Sequence, residues 1–321
     1  MGIYLNPGKT ALEDDRLNPY YIDKSMLIRE LNAMIDVRDK LVCVSRPRRF
    51  GKTMAANMIC AYYTKGCDSH EAFRGLKIAD DPSFEEHINR YNVIKFDLAS
   101  MAGRRRGGLN TVQTIEKYVV ADFITQFPEI HFPENCDLTL AIQTVYQKSG
   151  EQFVIIMDEY DYLIRERENP EIEAYLTFLN TLFKDDSIRP ALALAYITGI
   201  LPIIRDSVQS KLNNFKEFTM VNARRLAPFI GFTREETEYL AAKNGMDMVE
   251  LERWYDGYCI NGIELYSPKS VIEAVENRKC DDYWTQTGAF DAVSNYVDLN
   301  LEGLRDDVVL MLGGQHIPVT V

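Results

Sequence analysis

Two short charged segments of this 321-residue chain carry residue types that could do chemistry together. The first is SRPRRFGKT (45–53), in which Gly51, Lys52 and Thr53 close a loop rich in arginine. A glycine leading into a helix that opens with lysine and threonine suits a polyphosphate. Loop N–H groups and the helix N-terminus face the phosphate oxygens, the lysine supplies counter-charge, and the hydroxyl ligates magnesium. Arg48, Arg49 and Phe50 complete the loop, and Arg46 stands where the strict pattern has its first glycine. The second segment is FVIIMDEYD (153–161). In such a pair, Asp158 would hold the metal through its water shell, and Glu159 would orient and polarise an attacking water. Asp161 reads as a cap or ion-pair partner. Taken singly, the two segments are also a basic surface loop and an acidic cap at a strand exit. Taken in this order, about 100 residues apart, they read as one nucleotide site binding ATP and Mg2+.

Both segments need strands to aim them. Short aliphatic runs at 41–45, 92–98, 153–157 and 191–198 are bounded by polar or turn residues and read as strands. Their apolarity is continuous rather than alternating, which suits parallel strands covered on both faces. Helical spacing lies between them: Val112, Ile115, Val119 and Phe123 in one segment, and Ile172, Tyr175, Leu176, Leu179 and Phe183 in another, opened by Asn169-Pro170. Strands alternating with helices predict an α/β sheet with right-handed crossovers. The strand at 153–157 delivers both carboxylates to the C-terminal edge of that sheet, where open α/β folds bind ligands. The fourth strand ends in Thr198-Gly199. Thr198 is placed to sense a γ-phosphate, and equally to satisfy its own strand end.

Near residue 230 the texture changes. GFTREETEYL opens a helix through a capping box, Thr233 with Glu236, and a small, mostly helical unit is expected from there on. The expected division is a P-loop core over 1–229 and a helical subdomain over 230–321. The last residues, VVLMLGGQHIPVTV (308–321), read as a hairpin turning at Gly313-Gly314 whose partner lies past Val321, so the natural chain is expected to continue.

Composition narrows the classes further. The net charge is -12, from 36 Lys and Arg against 48 Asp and Glu, which argues against broad nucleic-acid binding. No apolar run is long enough to span a membrane, and the N-terminus has no signal-peptide core, so a cytoplasmic protein is expected. Six cysteines form no C-x-x-C pair and read as reduced thiols, and four scattered histidines show no ligand spacing. Arg104, Arg105 and Arg106, beside two glycines after the second strand, read first as a solvated loop tip and second as a basic phosphate-binding loop. The aromatics of RWYDGY (253–258) read as packing between the small unit and the core.

The order of boxes YIDKSMLIREL (21–31), RPRRFGKT (46–53), MDEYD (157–161), ITGILPI (197–203), LNNFKEFTM (212–220), GFTREE (231–236), WYDGY (254–258), LYSPKSV (265–271) and YWTQTG (283–288) resembles the bacterial AAA-ATPase-like family over nearly the whole chain. That family accepts arginine at the position of Arg46. The resemblance implies a P-loop NTPase: a parallel sheet sandwiched by helices, with an added strand between the two nucleotide motifs, then a small mostly helical domain. It implies ATP hydrolysis with Arg48, Arg49, Phe50, Gly51, Lys52 and Thr53 on the nucleotide, Thr53 and Asp158 on the metal, and Glu159 and Thr198 in catalysis. Segment 23–25, a helix start capped by Asp23, would cover the adenine. One of Arg205, Arg224 or Arg225 would act on the γ-phosphate, in cis or across a homo-oligomer. Relatives often continue into a nuclease-like domain of the PD-(D/E)xK type, through which alone nucleic acid would be a partner. The alternative readings are a nucleotide-binding regulatory or scaffold module with little turnover, or a partner of a nuclease domain in mobile-element or defence systems.

Overall fold

A computed structural model describes residues 1–165, 169–203, 212–255, 258–260 and 262–283. Arg205 and the hairpin expected at the C-terminus lie outside these residues.

The four expected strands are present as β1 (Leu41–Ser45), β2 (Asn92–Asp97), β3 (Phe153–Asp158) and β4 (Leu192–Gly199). A fifth, β5 (Lys216–Phe218), joins them. All neighbours pair in parallel, in the order β2-β3-β4-β1-β5. The sheet therefore places β4, the added strand, between the strands that lead to the two charged segments, while β2 lies at the sheet edge beside β3.

Burial on both faces explains the continuous apolar runs. On β1, Cys43 enters one core, and Val42 and Val44 enter the other. On β3, Phe153, Ile155 and Met157 face the first core while Val154 and Ile156 face the second. The first core is closed by helices Thr111–Gln126, Leu138–Ser149 and Ile172–Lys184, which contribute Ile115, Val119, Phe123, Ile142, Tyr175 and Leu179. The second is closed by helices Met26–Asn32 and Lys52–Tyr63 through Leu27, Leu31, Ile59 and Tyr63. Burying such apolar side chains contributes roughly 1.5–3 kcal/mol each relative to exposure, so the sheet positions are strongly held.

Two helix starts differ from expectation by a residue or two. The third of these helices begins at Ile172, because Asn169 Oδ1 accepts from Glu171 N and organises the turn ahead of it (2.9 Å). Ser25, not Asp23, is the N-cap of helix Met26–Asn32; Asp23 accepts from Ser25 N (2.8 Å) and from Lys77 N (2.8 Å).

Beyond the sheet, helices Arg234–Asn244, Met248–Tyr255 and Pro268–Asn277 surround their own core of Phe232, Leu240, Leu251, Tyr266 and Val271. The capping box of Thr233 and Glu236 opens the first of them. A short antiparallel sheet accompanies the helices, β6 (Phe232–Thr233), β7 (Tyr258–Ile260) and β8 (Ile263–Tyr266), in the order β6-β8-β7. Strands of two to four residues leave no periodicity to read, which is why the sequence does not announce them. Tyr255 is buried and donates its hydroxyl to Asp281 O (2.8 Å), a packing role.

Candidate nucleotide site

Register brings the chemistry to one edge. Ser45 pairs with Gly199, Asp97 with Asp158, and Met157 with Ile197, so β1 to β4 end side by side. The 46–51 loop leaves β1 and folds over its end. Arg49 (φ 64°) and Gly51 (φ 87°) are left-handed, and Gly51 is the N-cap of helix Lys52–Tyr63. At Gly51 a side chain would be strained, which explains the glycine. The turn directs Lys52 back beneath its own loop, where Nζ donates to Arg46 O (2.9 Å) and Pro47 O (2.8 Å). Burial pushes the Lys52 ammonium down to about 8, against the opposing pull of Asp158, Asp161 and Glu159. A phosphate arriving here would replace neutral carbonyls with formal negative charge, the stronger partner for a buried cation.

Arg46 does something else. Its side chain is fully buried and turns down into the sheet, where Nη1 donates to Ser45 O (2.8 Å) and Phe218 O (2.9 Å). Burial lowers its pKa to about 10. Arginine thus replaces glycine here by tying the loop to β5. Arg48 and Arg49 are exposed on the loop crest. Phe50 is buried and meets Tyr258 edge-on, with ring centroids 5.5 Å apart. It also lines, with Gly51, an apolar cleft formed by Tyr20, Tyr21, Met54, Phe229 and Phe232.

Across the edge, Thr53 Oγ1 donates to Asp158 Oδ2 at 2.6 Å, so residues 105 apart in sequence meet. Thr198 donates to Asp158 Oδ1, and Glu159 N donates to the same oxygen at 3.0 Å. Asp158 is buried and three donors fix it. Thr53, Asp158 and Thr198 are hard oxygen groups, the kind that magnesium takes, and the closeness of Thr53 to Asp158 lets one small cation reach both. Asp97 is half-buried beside them, its carboxyl raised by burial and by the nearby Glu159 and Asp158.

The chain then turns sharply. Glu159 is left-handed (φ 53°), and Tyr160 N donates to Thr198 O (2.9 Å). Asp161, read in the sequence as a cap or ion-pair partner, accepts from Ile200 N (3.0 Å) and Leu201 N (2.9 Å), pinning the loop that follows β4. The turn also brings back a residue that sequence reasoning missed. Arg165 Nη2 donates to Glu159 Oε2 at 3.0 Å, and Arg165 Nε lies 4.0 Å from Asp161 Oδ2. Arg165 stands four residues after Asp161, a spacing open to an ion pair, but its bond to Glu159 depends on the turn after β3, which side-chain periodicity does not encode.

The remaining arginines point elsewhere. Arg225 pairs with Glu30 (3.4 Å), and Arg224 Nε donates to Asn222 Oδ1 (3.2 Å). In the 104–106 loop, Arg105 pairs with Glu171 (2.7 Å), Arg104 lies over the Tyr4 ring (6.0 Å), and Arg106 bonds local carbonyls. Arg104 and Arg105 thus tie the loop to other segments of the fold, and Arg106 satisfies the loop's own carbonyls.

Comparison with known proteins adds three findings. The family described as "Predicted AAA-ATPase" matches over residues 14–209. An uncharacterized protein of the vnfD 5′ region of Azotobacter chroococcum mcd 1 is 25% identical over 281 residues, 84% of this chain and 51% of that protein. The chain thus spans about half the length of this relative. The solved structure of the Aeropyrum pernix ORC2 protein, in ADPNP–ADP complexes, is similar at a TM-score of 0.41 and 13% identity, covering 92% of this chain and 76% of that one.

Proposed function

The chain belongs to the predicted AAA-ATPase family, and from that premise we propose that it binds ATP with magnesium at the 46–53 loop and hydrolyses it. The observation that carries this reading is the 2.6 Å hydrogen bond between Thr53 and Asp158, which joins the two charged segments at one sheet edge beside the buried Lys52.

In this reading the loop N–H groups and the first turn of the helix hold the phosphates, and Lys52 exchanges its two carbonyl partners for β- and γ-phosphate oxygens. Thr53 and Asp158 would hold magnesium, which when bound would neutralise charge on those phosphates. Thr198 keeps Asp158 in place. Glu159 orients a water and accepts its proton as the water oxygen attacks the γ-phosphorus; the bond to the β–γ bridging oxygen breaks, leaving ADP and phosphate. The apolar cleft beside Gly51 receives the base, with Tyr20 and Tyr21 just before segment 23–25. The 229/230 boundary of the sequence reading would make the small unit the far wall of that cleft.

Equilibrium titration with a fluorescent ATP analogue, with and without magnesium, tests the site. Lys52→Ala should weaken binding by about 10²-fold, the loss expected when a charged hydrogen-bond donor is removed from two phosphates, and should leave the fold intact. Unchanged affinity in a folded Lys52→Ala variant would sink the assignment.

One observation favours a second reading, a nucleotide switch with little turnover: one oxygen of Glu159 is already engaged by Arg165, which weakens the carboxylate as a proton acceptor. Phosphate release under steady-state and single-turnover conditions separates the two.

A further inference from the structure

Among the described residues, Arg165 is a cation beside the acidic strand end that the reaction described above does not use. Its side chain is only 12% exposed. Of its donors, Nη2 is bonded to Glu159 Oε2 (3.0 Å), Nε stands 4.0 Å from Asp161 Oδ2, and Nη1 is buried with no partner among the described residues. A buried guanidinium N–H without an acceptor is costly, since it has given up water and gained nothing. The guanidinium also stacks over the Tyr162 ring at 5.5 Å, which fixes its plane.

Its position matters as much as its unsatisfied donor. Lys52 feels the carboxylates of Asp158, Asp161 and Glu159 and, with opposite sign, the Arg165 guanidinium. Two cations, one from the loop and one from the turn after β3, therefore share a water-poor region and repel each other. Asp158 is already occupied by Thr53, Thr198 and a backbone N–H, and Asp161 Oδ2 by two backbone N–H groups. Glu159 is the most exposed and least constrained of the three carboxylates, with a side chain 38% exposed. The unpartnered Nη1 leaves a donor of the fork open to one more acceptor. Guanidinium suits phosphate oxygens in this role, because its planar fork can bond two acceptors at once.

We propose that Arg165 is a cis-acting cation for the γ-phosphate that also positions Glu159: it holds Glu159 in the nucleotide-free protein and turns a donor to the γ-phosphate of a bound nucleoside triphosphate, freeing Glu159 for water. The inference rests on the ATP reading given above. It makes the site sensitive to tri- against diphosphate, because ADP has no γ-phosphate to draw Arg165 from Glu159. The pair is a two-state element whose equilibrium the ligand biases through a contact made in only one state.

The experiment is the ratio of ATP to ADP affinity, measured by competition against a fluorescent nucleotide in the full chain. Arg165→Gln should lower that ratio by about tenfold or more, as loss of a charged hydrogen bond does, with ADP affinity near the parent value. Arg165→Lys, which keeps charge without the fork, should fall between. Glu159→Gln should raise the ratio by weakening the competitor for Arg165, and Glu159→Gln with Arg165→Gln should abolish that gain. A parallel fall in ATP and ADP affinity, or an unchanged ratio, overturns the inference and leaves ATP binding standing. A parent that binds neither nucleotide overturns both. Should Arg165→Gln fail to fold, Glu159→Gln alone decides: a raised ratio supports the proposal and an unchanged one overturns it.

Discussion

The phosphate loop and the acidic strand end face each other across one sheet edge, and they hold their charges in different ways. In the loop, Lys52 is bonded only to backbone carbonyls of Arg46 and Pro47. At the strand end, Asp158 is fixed by two hydroxyls and a backbone N–H, and Asp161 by two backbone N–H groups. The first arrangement is exchangeable: a better acceptor can take Lys52 without unmaking any side-chain network. The second is built in advance, so a ligand meets oxygens already in place and pays no ordering cost there. The contrast places mobility on the cations and rigidity on the Asp158 carboxylate, with Glu159, held by a single ion pair, between the two.

Substitutions at the strand end test this contrast most severely. Glu159→Gln retains shape and hydrogen bonding but loses the charge that polarises water, so single-turnover hydrolysis should slow by roughly 10²-fold or more while ATP binding persists. Hydrolysis at the parent rate would remove Glu159 from the catalytic role. Asp158→Asn strikes the prebuilt half. One amide hydrogen would face the donors of Thr53 or Thr198, and a mismatched buried group costs about 1–3 kcal/mol. Thermal unfolding should shift down, and the increment in nucleotide affinity that magnesium supplies should shrink. Lys52→Ala, by contrast, should leave thermal stability at or above the parent value, because a desolvated cation is removed. Equal destabilisation by Asp158→Asn and Lys52→Ala would erase the distinction between the two halves.

The smallest expected effect is in pH. The ammonium of Lys52 sits at about 8 in the folded chain against 10.5 in an ordinary lysine. Between those values the unfolded chain binds a proton that the folded chain does not, so the contribution of this group to stability rises with pH across the window. Its cost is fully present below about pH 8. Nucleotide affinity runs the opposite way: the free protein loses the positive charge as pH rises through about 8, and binding should weaken several-fold towards the upper end of the window. A titration series from neutral to alkaline pH checks this, and Lys52→Arg, which stays charged, should flatten the profile. A flat profile in the parent would mean that Lys52 keeps its proton despite its burial.

How far the primary structure alone reaches is plain from particular residues. Continuous apolar runs suit strands covered on both sides, so the runs at 41–45, 92–98, 153–157 and 191–198 foretell the α/β class and β1 to β4, with ends within a residue of those found. Strand, glycine and helix in succession are local geometry, with Gly51 the left-handed cap of the helix that Lys52 and Thr53 open, and the capping box at Thr233 is equally local. The five-stranded order, the edge position of the three-residue β5 and the antiparallel sheet of the small unit were decided by packing between distant segments, which no local pattern encodes. Tertiary structure also decided what each arginine does. Arg46 turned inward because β5 offers the Phe218 carbonyl; Arg225 was claimed by Glu30; and Arg165 reached Glu159 because the chain reverses after β3. A charged side chain is long and flexible, and its partner is whichever opposite charge or carbonyl the assembled fold leaves within reach, so type and spacing name the candidates and only the packed chain selects among them.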